Sequence, residues 1–349
     1  MNIGYFIKIR AYRFFNTKTG KKILELLAPF IYVKNLRIES EKKKFKKPFI
    51  VCITIDTESG YIEKNDYRVW QKNAPQAYTG YYNGIENWRN VLRKYNAKAT
   101  FFLSTNCFSA KGKEYELILN QLKLLIKEKH EIGLHMHPDS DFAIQEFLNR
   151  KFSATSAKFY DEKEISFILQ ASKALLKQNI GIIPVSFRWG NWALTNDAVN
   201  ALQKNNFRID SSAIPGIKGH QNDNMSYDWS KVSQHHPWKL SASNYQDTQK
   251  QDSKVLEIPI ATFNFFGLTL RADPANSSLL KLCFDNYYRN ADRSVKPFIF
   301  VAISHSIEAT HKDGSKTKVI AAIDEFLSYA KKFEDVEFDT LEGAFNKCK

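Results

Sequence analysis

From Phe49 onward the chain alternates short apolar runs with longer stretches whose apolar residues recur every three to four positions. This alternation restricts the fold more than any other feature, because it is the pattern of repeated strand and helix units. The short runs read as strands at Phe49–Ile55, Ala99–Leu103, Glu131–Leu134, Pro184–Phe187, Phe207–Ile209, Val255–Pro259, Phe298–Ser304 and Val336–Asp339. Between them the spacing predicts helices over Ile85–Tyr95, Lys113–Lys129, Glu162–Gln178, Asn196–Asn205, Asn276–Asn290 and Thr317–Phe333. Strands separated by helical crossovers build parallel sheets. A doubly wound open sheet calls for a glycine-rich phosphate loop after its first strand, and none follows Phe49–Ile55. The reading is therefore an α/β chain, a (β/α) barrel of seven or eight strands over residues 49–349, preceded by a basic, aromatic-rich N-terminal arm and linker over 1–48. Two polar, aromatic stretches lack either period, Tyr61–Tyr82 and Ser211–Lys254. The second is a long insertion at about 211–254, and both are expected to shape a binding surface.

Charge separates the two regions. The 349 residues carry 51 Lys and Arg against 37 Asp and Glu, a net +14, and are 43% hydrophobic. That apolar content excludes disordered, collagen-like and disulfide-scaffold classes. Residues 1–48 hold thirteen Lys and Arg against three Glu, a net +10, so the remaining 301 residues, at about +4, are nearly balanced. In the arm, Ile3, Tyr5, Phe6, Ile7, Ile9, Tyr12, Phe14 and Phe15 alternate with Lys8, Arg10 and Arg13, and a second apolar patch runs from Ile23 to Val33. Neither patch is long enough to span a bilayer. Lys21, Lys22 and Glu25 interrupt any signal-peptide core. The expected location is cytoplasmic or peripheral to the inner face of the membrane, with residues 1–47 available for contact with anionic membrane. Nucleic acid is disfavoured as a partner, because the arm lacks the interleaved base-stacking surface of a folded binding module. The four cysteines, Cys52, Cys107, Cys283 and Cys348, are widely separated, which fits a reducing cytosol.

Ionisable residues follow several of the predicted strands. Asp56-Thr57-Glu58 follows the first, His135-Met136-His137-Pro138-Asp139 the third, Arg188 the fourth and His305 the seventh. The C-terminal ends of parallel barrel strands open on one face, so these residues converge. Asp56 and Glu58 are two apart and would repel unless a cation or Arg188 compensated them. His135 and His137, two of only eight histidines, share the same spacing and can bind a divalent ion through neutral imidazoles. His130-Glu131 is not a zincin motif, since the second His comes five residues on and Gly133 intervenes. Aromatic residues crowd these motifs: Trp189 and Trp192 flank Arg188, and Tyr227, Trp229, His235, His236 and Trp238 lie in the insertion. Trp189, Trp192 and Trp238 are the candidate substrate platforms.

Several of these runs together resemble the polysaccharide deacetylase family, the NodB-homology carbohydrate esterases. They are Ile53-Thr54-Ile55-Asp56-Thr57-Glu58, Ala97-Lys98-Ala99-Thr100-Phe101-Phe102-Leu103 and His130-Glu131-Ile132-Gly133-Leu134-His135-Met136-His137-Pro138-Asp139. Ser186-Phe187-Arg188-Trp189-Gly190, Phe207-Arg208-Ile209-Asp210-Ser211-Ser212 and Ser304-His305-Ser306 fit the later motifs in the same order, so the match spans about residues 49 to 310. The resemblance implies a distorted, NodB-like barrel and metal-dependent removal of acetyl groups, N- or O-linked, from a polysaccharide or glycan precursor in cell-envelope metabolism. It implies Asp56 as general base, Glu58, His135 and His137 as metal ligands, Arg188 as the residue orienting Asp56, and His305 as general acid. Zn²⁺ suits such a set best, with Co²⁺, Ni²⁺ or Fe²⁺ as other occupants. Two departures leave alternatives open. Asp56-Thr57-Glu58 stands where the family has adjacent aspartates, so either carboxylate could bind metal. His135-x-His137 shortens the family's H-x-x-x-H, which makes Asp139 a possible ligand. The departures also admit a catalytically inactive carbohydrate-binding protein on the same barrel.

Overall fold

The computed structural model describes residues 14, 17–34, 36, 47–64, 76–219, 226–274 and 277–348. Its strands are β1 (Ile31–Tyr32), β2 (Phe49–Thr57), β3 (Ala99–Ser104), β4 (Glu131–Met136), β5 (Ser186–Trp189) and β6 (Ile209–Asp210). Short pieces follow as β7 (Lys218–Gly219), β8 (Tyr227–Asp228), β9 (Trp238–Lys239) and β10 (Leu256–Glu257). The last four are β11 (Thr262–Phe265), β12 (Leu268–Arg271), β13 (Phe298–His305) and β14 (Val336–Phe338).

The main sheet runs β13-β2-β3-β4-β5-β6-β10-β9, with β14 also on β2. Every pairing in it is parallel except β9 on β10. All nine residues of β2 are buried, as a central parallel strand covered on both faces requires. The sheet curls into a half-barrel, and its ends are stitched by backbone: Ala261 N–H donates to Val301 O and Ile303 N–H to Ala272 O. Helices Ile85–Lys94, Gly112–Lys127, Glu162–Ile180, Asn196–Lys204, Ser277–Asn290 and Lys318–Ala330 lie in the spans expected from sequence. Their ends follow local chemistry. Asp161 and Glu164 form a capping box at the start of the fourth-strand crossover helix, and Gly181 ends it in the left-handed region.

The structure departs from the expected arm over its middle. Helix Lys18–Leu27 starts at an N-cap, Thr17, whose hydroxyl accepts from Gly20 N–H. After it, β1 pairs antiparallel with β11, and Leu24, Ile31 and Val33 join the core. Asn286 Nδ2 donates to Ile31 O, and His235 Nε2 donates to Lys34 O. This stretch folds because β11 offers it an edge, a partner more than 200 residues away that no local pattern announces. The Ile3–Arg13 alternation and the Lys42–Lys46 cluster lie outside the described residues, as do 65–75 and 220–225 of the two patternless loops. Among the described residues no helix is long and apolar enough to cross a membrane.

Candidate metal and catalytic centre

Two register pairs build the site. On neighbouring parallel strands, His305 of β13 lies beside Asp56 of β2, and His135 of β4 lies beside Arg188 of β5. Period-two alternation then turns Asp56 with Glu58, and His135 with His137, to the same side. Asp56 Oδ1 accepts from Arg188 Nη1 at 2.7 Å, an ion pair with no solvent exposure on the guanidinium. Its other oxygen, Oδ2, stands 4.0 Å from His135 Nε2 and 3.8 Å from His305 Nε2. Glu58 Oε1 lies 3.0 Å from His135 Nε2 and 3.5 Å from His137 Nε2. Glu58 and His305 side chains are each 12% exposed, against 2–3% for His135 and Asp56, so the first two form the rim and the others the floor. The candidate ligand atoms of Glu58, His135 and His137 lie within 4.8 Å of one another, as do those of Asp56, Glu58 and His305.

Hydrogen bonding sets the tautomer of His135. Its Nδ1 is 3.0 Å from Arg188 O, and a carbonyl can only accept, so the proton sits on Nδ1. With Nδ1 so engaged, Nε2 faces Glu58 Oε1 at 3.0 Å. Imidazole with carboxylate is a donor set suited to a divalent metal. The residues present therefore fit the ion. Burial pushes the Glu58 carboxyl up, but His137 and His135 outweigh it and hold it well below the usual range. Burial likewise raises Asp56, and Arg188, His135 and His305 together bring it below its ordinary value. His305 is pulled down by burial and pushed up more strongly by Glu308, Asp56 and Glu58, so it ends above its ordinary value.

Close packing fixes the walls. A Cβ on Gly190 would come within 2.4 Å of the His137 ring, so only glycine leaves that imidazole room. Gly80 and Gly84 lie one turn apart on a helical turn and bring it against Glu58 O and Ser306 O, where a Cβ would sit 2.4 and 2.3 Å away. Ser306 Oγ accepts from Glu58 N–H at 3.1 Å and ties the two loops together.

Some expected residues are not at the site. Trp189 and Trp238 are 0% and 1% exposed, so neither offers a face to a sugar; this corrects the platform expectation for both. Trp189 instead donates from Nε1 to Thr155 O at 2.7 Å and packs as core. Trp192 alone of the three reaches solvent, half-buried, with the Arg271 guanidinium 4.3 Å from its ring. Asp139 belongs to neither ligand group, and its carboxylate accepts from Thr155. Other residues were missed. Glu308 Oε2 accepts from His305 N–H at 2.9 Å and lies 3.4 Å from His305 Nδ1. Phe102 places its ring 4.3 Å below the Arg188 guanidinium, and Ser211 accepts from Arg188 Nε through its carbonyl and from Nη2 through its hydroxyl. Asp210 and Glu257 are register partners without exposure, and burial pushes both carboxyls up. Of these, only the His305-x-x-Glu308 spacing was visible in sequence as a possible local pair.

The polysaccharide deacetylase family model matches residues 79–209, the span carrying His135, His137 and Arg188. Over that span the chain is similar to the polysaccharide deacetylase family. Asp56, Glu58 and His305 fall outside the matched span, and the flanking strands β2 and β13 bring them to it. A polysaccharide deacetylase from Mycobacterium smegmatis is similar in structure, with a TM-score of 0.57, 17% identity, and coverage of 89% of this chain and 93% of that one. One from Pseudomonas aeruginosa gives 0.53 and 14%, covering 86% and 90%. PuuE allantoinase gives 0.55 and 12%, covering 88% and 94%. No curated protein matches by sequence. At these identities the structures speak for the deacetylase fold. The family's chemistry is hydrolytic removal of acetyl groups from glycans.

Proposed function

We propose that this deacetylase is metal-dependent and cleaves N- or O-linked acetyl groups from a polysaccharide or glycan precursor in cell-envelope metabolism, working on the cytoplasmic side or at the inner membrane face. The observation that carries the reading is the convergence of His135 Nε2 and His137 Nε2 on Glu58 Oε1, at 3.0 and 3.5 Å. Those three residues would hold the ion, Zn²⁺ first and Co²⁺, Ni²⁺ or Fe²⁺ next. When bound, it supplies Lewis acidity toward the acetyl carbonyl and makes water more acidic.

The chain's own groups then divide the proton work. Asp56 has one oxygen committed to Arg188, so Oδ2 is the free base that takes the proton of the attacking water. Arg188 keeps Asp56 ionised and aimed, and is itself clamped by Ser211 and stacked on Phe102. On the opposite side of Asp56, His305 holds a proton with help from Glu308 and donates it from Nε2 to the departing amine or alkoxide. Trp192 is the sugar platform. The fold does not select the amide, since an allantoinase is built on a similar one. The test is acetate release from a panel of N- and O-acetylated glycans, with metal content measured on the same protein. Release that follows metal content supports the reading; glycan binding with no acetate released at full metal occupancy would overturn it.

A further inference from the structure

The hairpin β11–β12 turns through Phe266 and Gly267, at φ 48° and 79°. Two residues at positive φ between antiparallel strands make a type I′ turn, a position that favours Asn-Gly. A bulky aromatic there is strained, and this one is also 58% exposed. It stacks on Phe30, likewise exposed, with ring centroids 5.4 Å apart. Leu26, one helical turn before Phe30, is 77% exposed, and Leu268, just past the turn, 67%. Strain and exposure both cost stability, and none of the described residues covers the patch.

Its flanks are cationic. Lys18 and Lys22 precede Leu26 at four-residue spacing on the exposed side of helix Lys18–Leu27, where Glu25 is the only acidic residue. Tyr32 and Lys34 alternate outward along the β1 segment, while Ile31 and Val33 point inward. Directly before this helix, residues 1–17 contain Lys8, Arg10 and Arg13 and no acidic residue. Apolar tip, cationic flank and basic leading sequence together match a bilayer interface bearing anionic headgroups.

We propose that this face docks on an anionic lipid surface, with Phe266, Phe30, Leu26 and Leu268 entering the headgroup boundary and the lysines meeting lipid phosphate. The far end of the hairpin, Arg271, lies over Trp192, two residues past the Gly190 that packs on the His137 ring, roughly 10 Å along the strand from Leu268. Docking therefore sets how far the mouth stands from the membrane, whatever substrate it takes.

The full-length protein is sedimented with vesicles of equimolar phosphatidylglycerol and phosphatidylcholine, and with phosphatidylcholine alone. Binding is expected to the first and to weaken with added salt. Phe266→Asn gives the turn its favoured residue, so thermal stability is kept or raised while vesicle affinity falls several-fold; adding Leu268→Ser brings the loss to about tenfold. Acetate release from a soluble substrate should be unchanged in both variants, which separates this proposal from the catalytic reading. Equal binding by wild type and variants, or binding indifferent to lipid charge, overturns it. So does light scattering that shows a wild-type dimer, monomeric variants and no vesicle binding, since the patch would then join two copies of this chain.

Discussion

His135 and His305 stand on opposite sides of one carboxylate oxygen, 4.0 and 3.8 Å from Asp56 Oδ2, yet the structure prepares them for different states. The difference lies behind each ring. His135 Nδ1 meets a backbone carbonyl, which holds a proton on that nitrogen and leaves Nε2 toward Glu58. His305 Nδ1 meets the carboxylate of Glu308, which favours the charged ring. A neutral imidazole can ligate and an imidazolium can donate a proton, so the group behind each ring favours the role proposed for it.

The sharpest break in this comparison is His135→Ala. It should remove bound metal and lower kcat/KM by about 10⁴ or more, read by metal analysis and acetate release; unchanged metal content would contradict the ligand assignment. Next, Asp56→Asn should keep the metal while turnover falls about 10³-fold. The same change leaves Arg188 without its counter-charge, so the melting temperature should drop as well, because an uncompensated buried charge costs about 3–5 kcal/mol. Gly190→Ala pushes a Cβ into the His137 ring and should weaken metal affinity about 10–100-fold in chelator competition, with His305 untouched. The mildest test addresses the other histidine. Glu308 raises the His305 pKa, so Glu308→Gln should lower it. Because the acid works protonated, activity is lost as pH rises through that pKa. The basic limb of the kcat profile should therefore move to lower pH by about one unit, roughly tenfold in rate on that limb, with metal content unchanged. A limb that stays in place would remove Glu308 from the proton path.

Much of this was legible before any coordinates. Asp56-x-Glu58 and His135-x-His137 could be placed on shared faces because strand alternation is a local rule, and the strand and helix succession follows from apolar spacing alone. The tryptophans show the limit. Trp189 adjoins Arg188 in sequence, but alternation sends it to the opposite side of β5, into the core, and Trp238 is buried by a strand pairing with β10 that has no local signature. β1 escaped for the same reason, its pairing partner β11 lying more than 200 residues further along the chain.

The sequence by itself determined the parallel α/β architecture, the polar residues at the strand ends and the concentration of positive charge in the first 48 residues, since each depends on neighbours a few positions apart. Only the tertiary structure decided which carboxylate faces the two histidines, which group stands behind each imidazole and which aromatic rings reach solvent. Those properties depend on register, burial and hydrogen-bond partners contributed by segments 50 to 250 residues away, and a chain read in one dimension does not contain them.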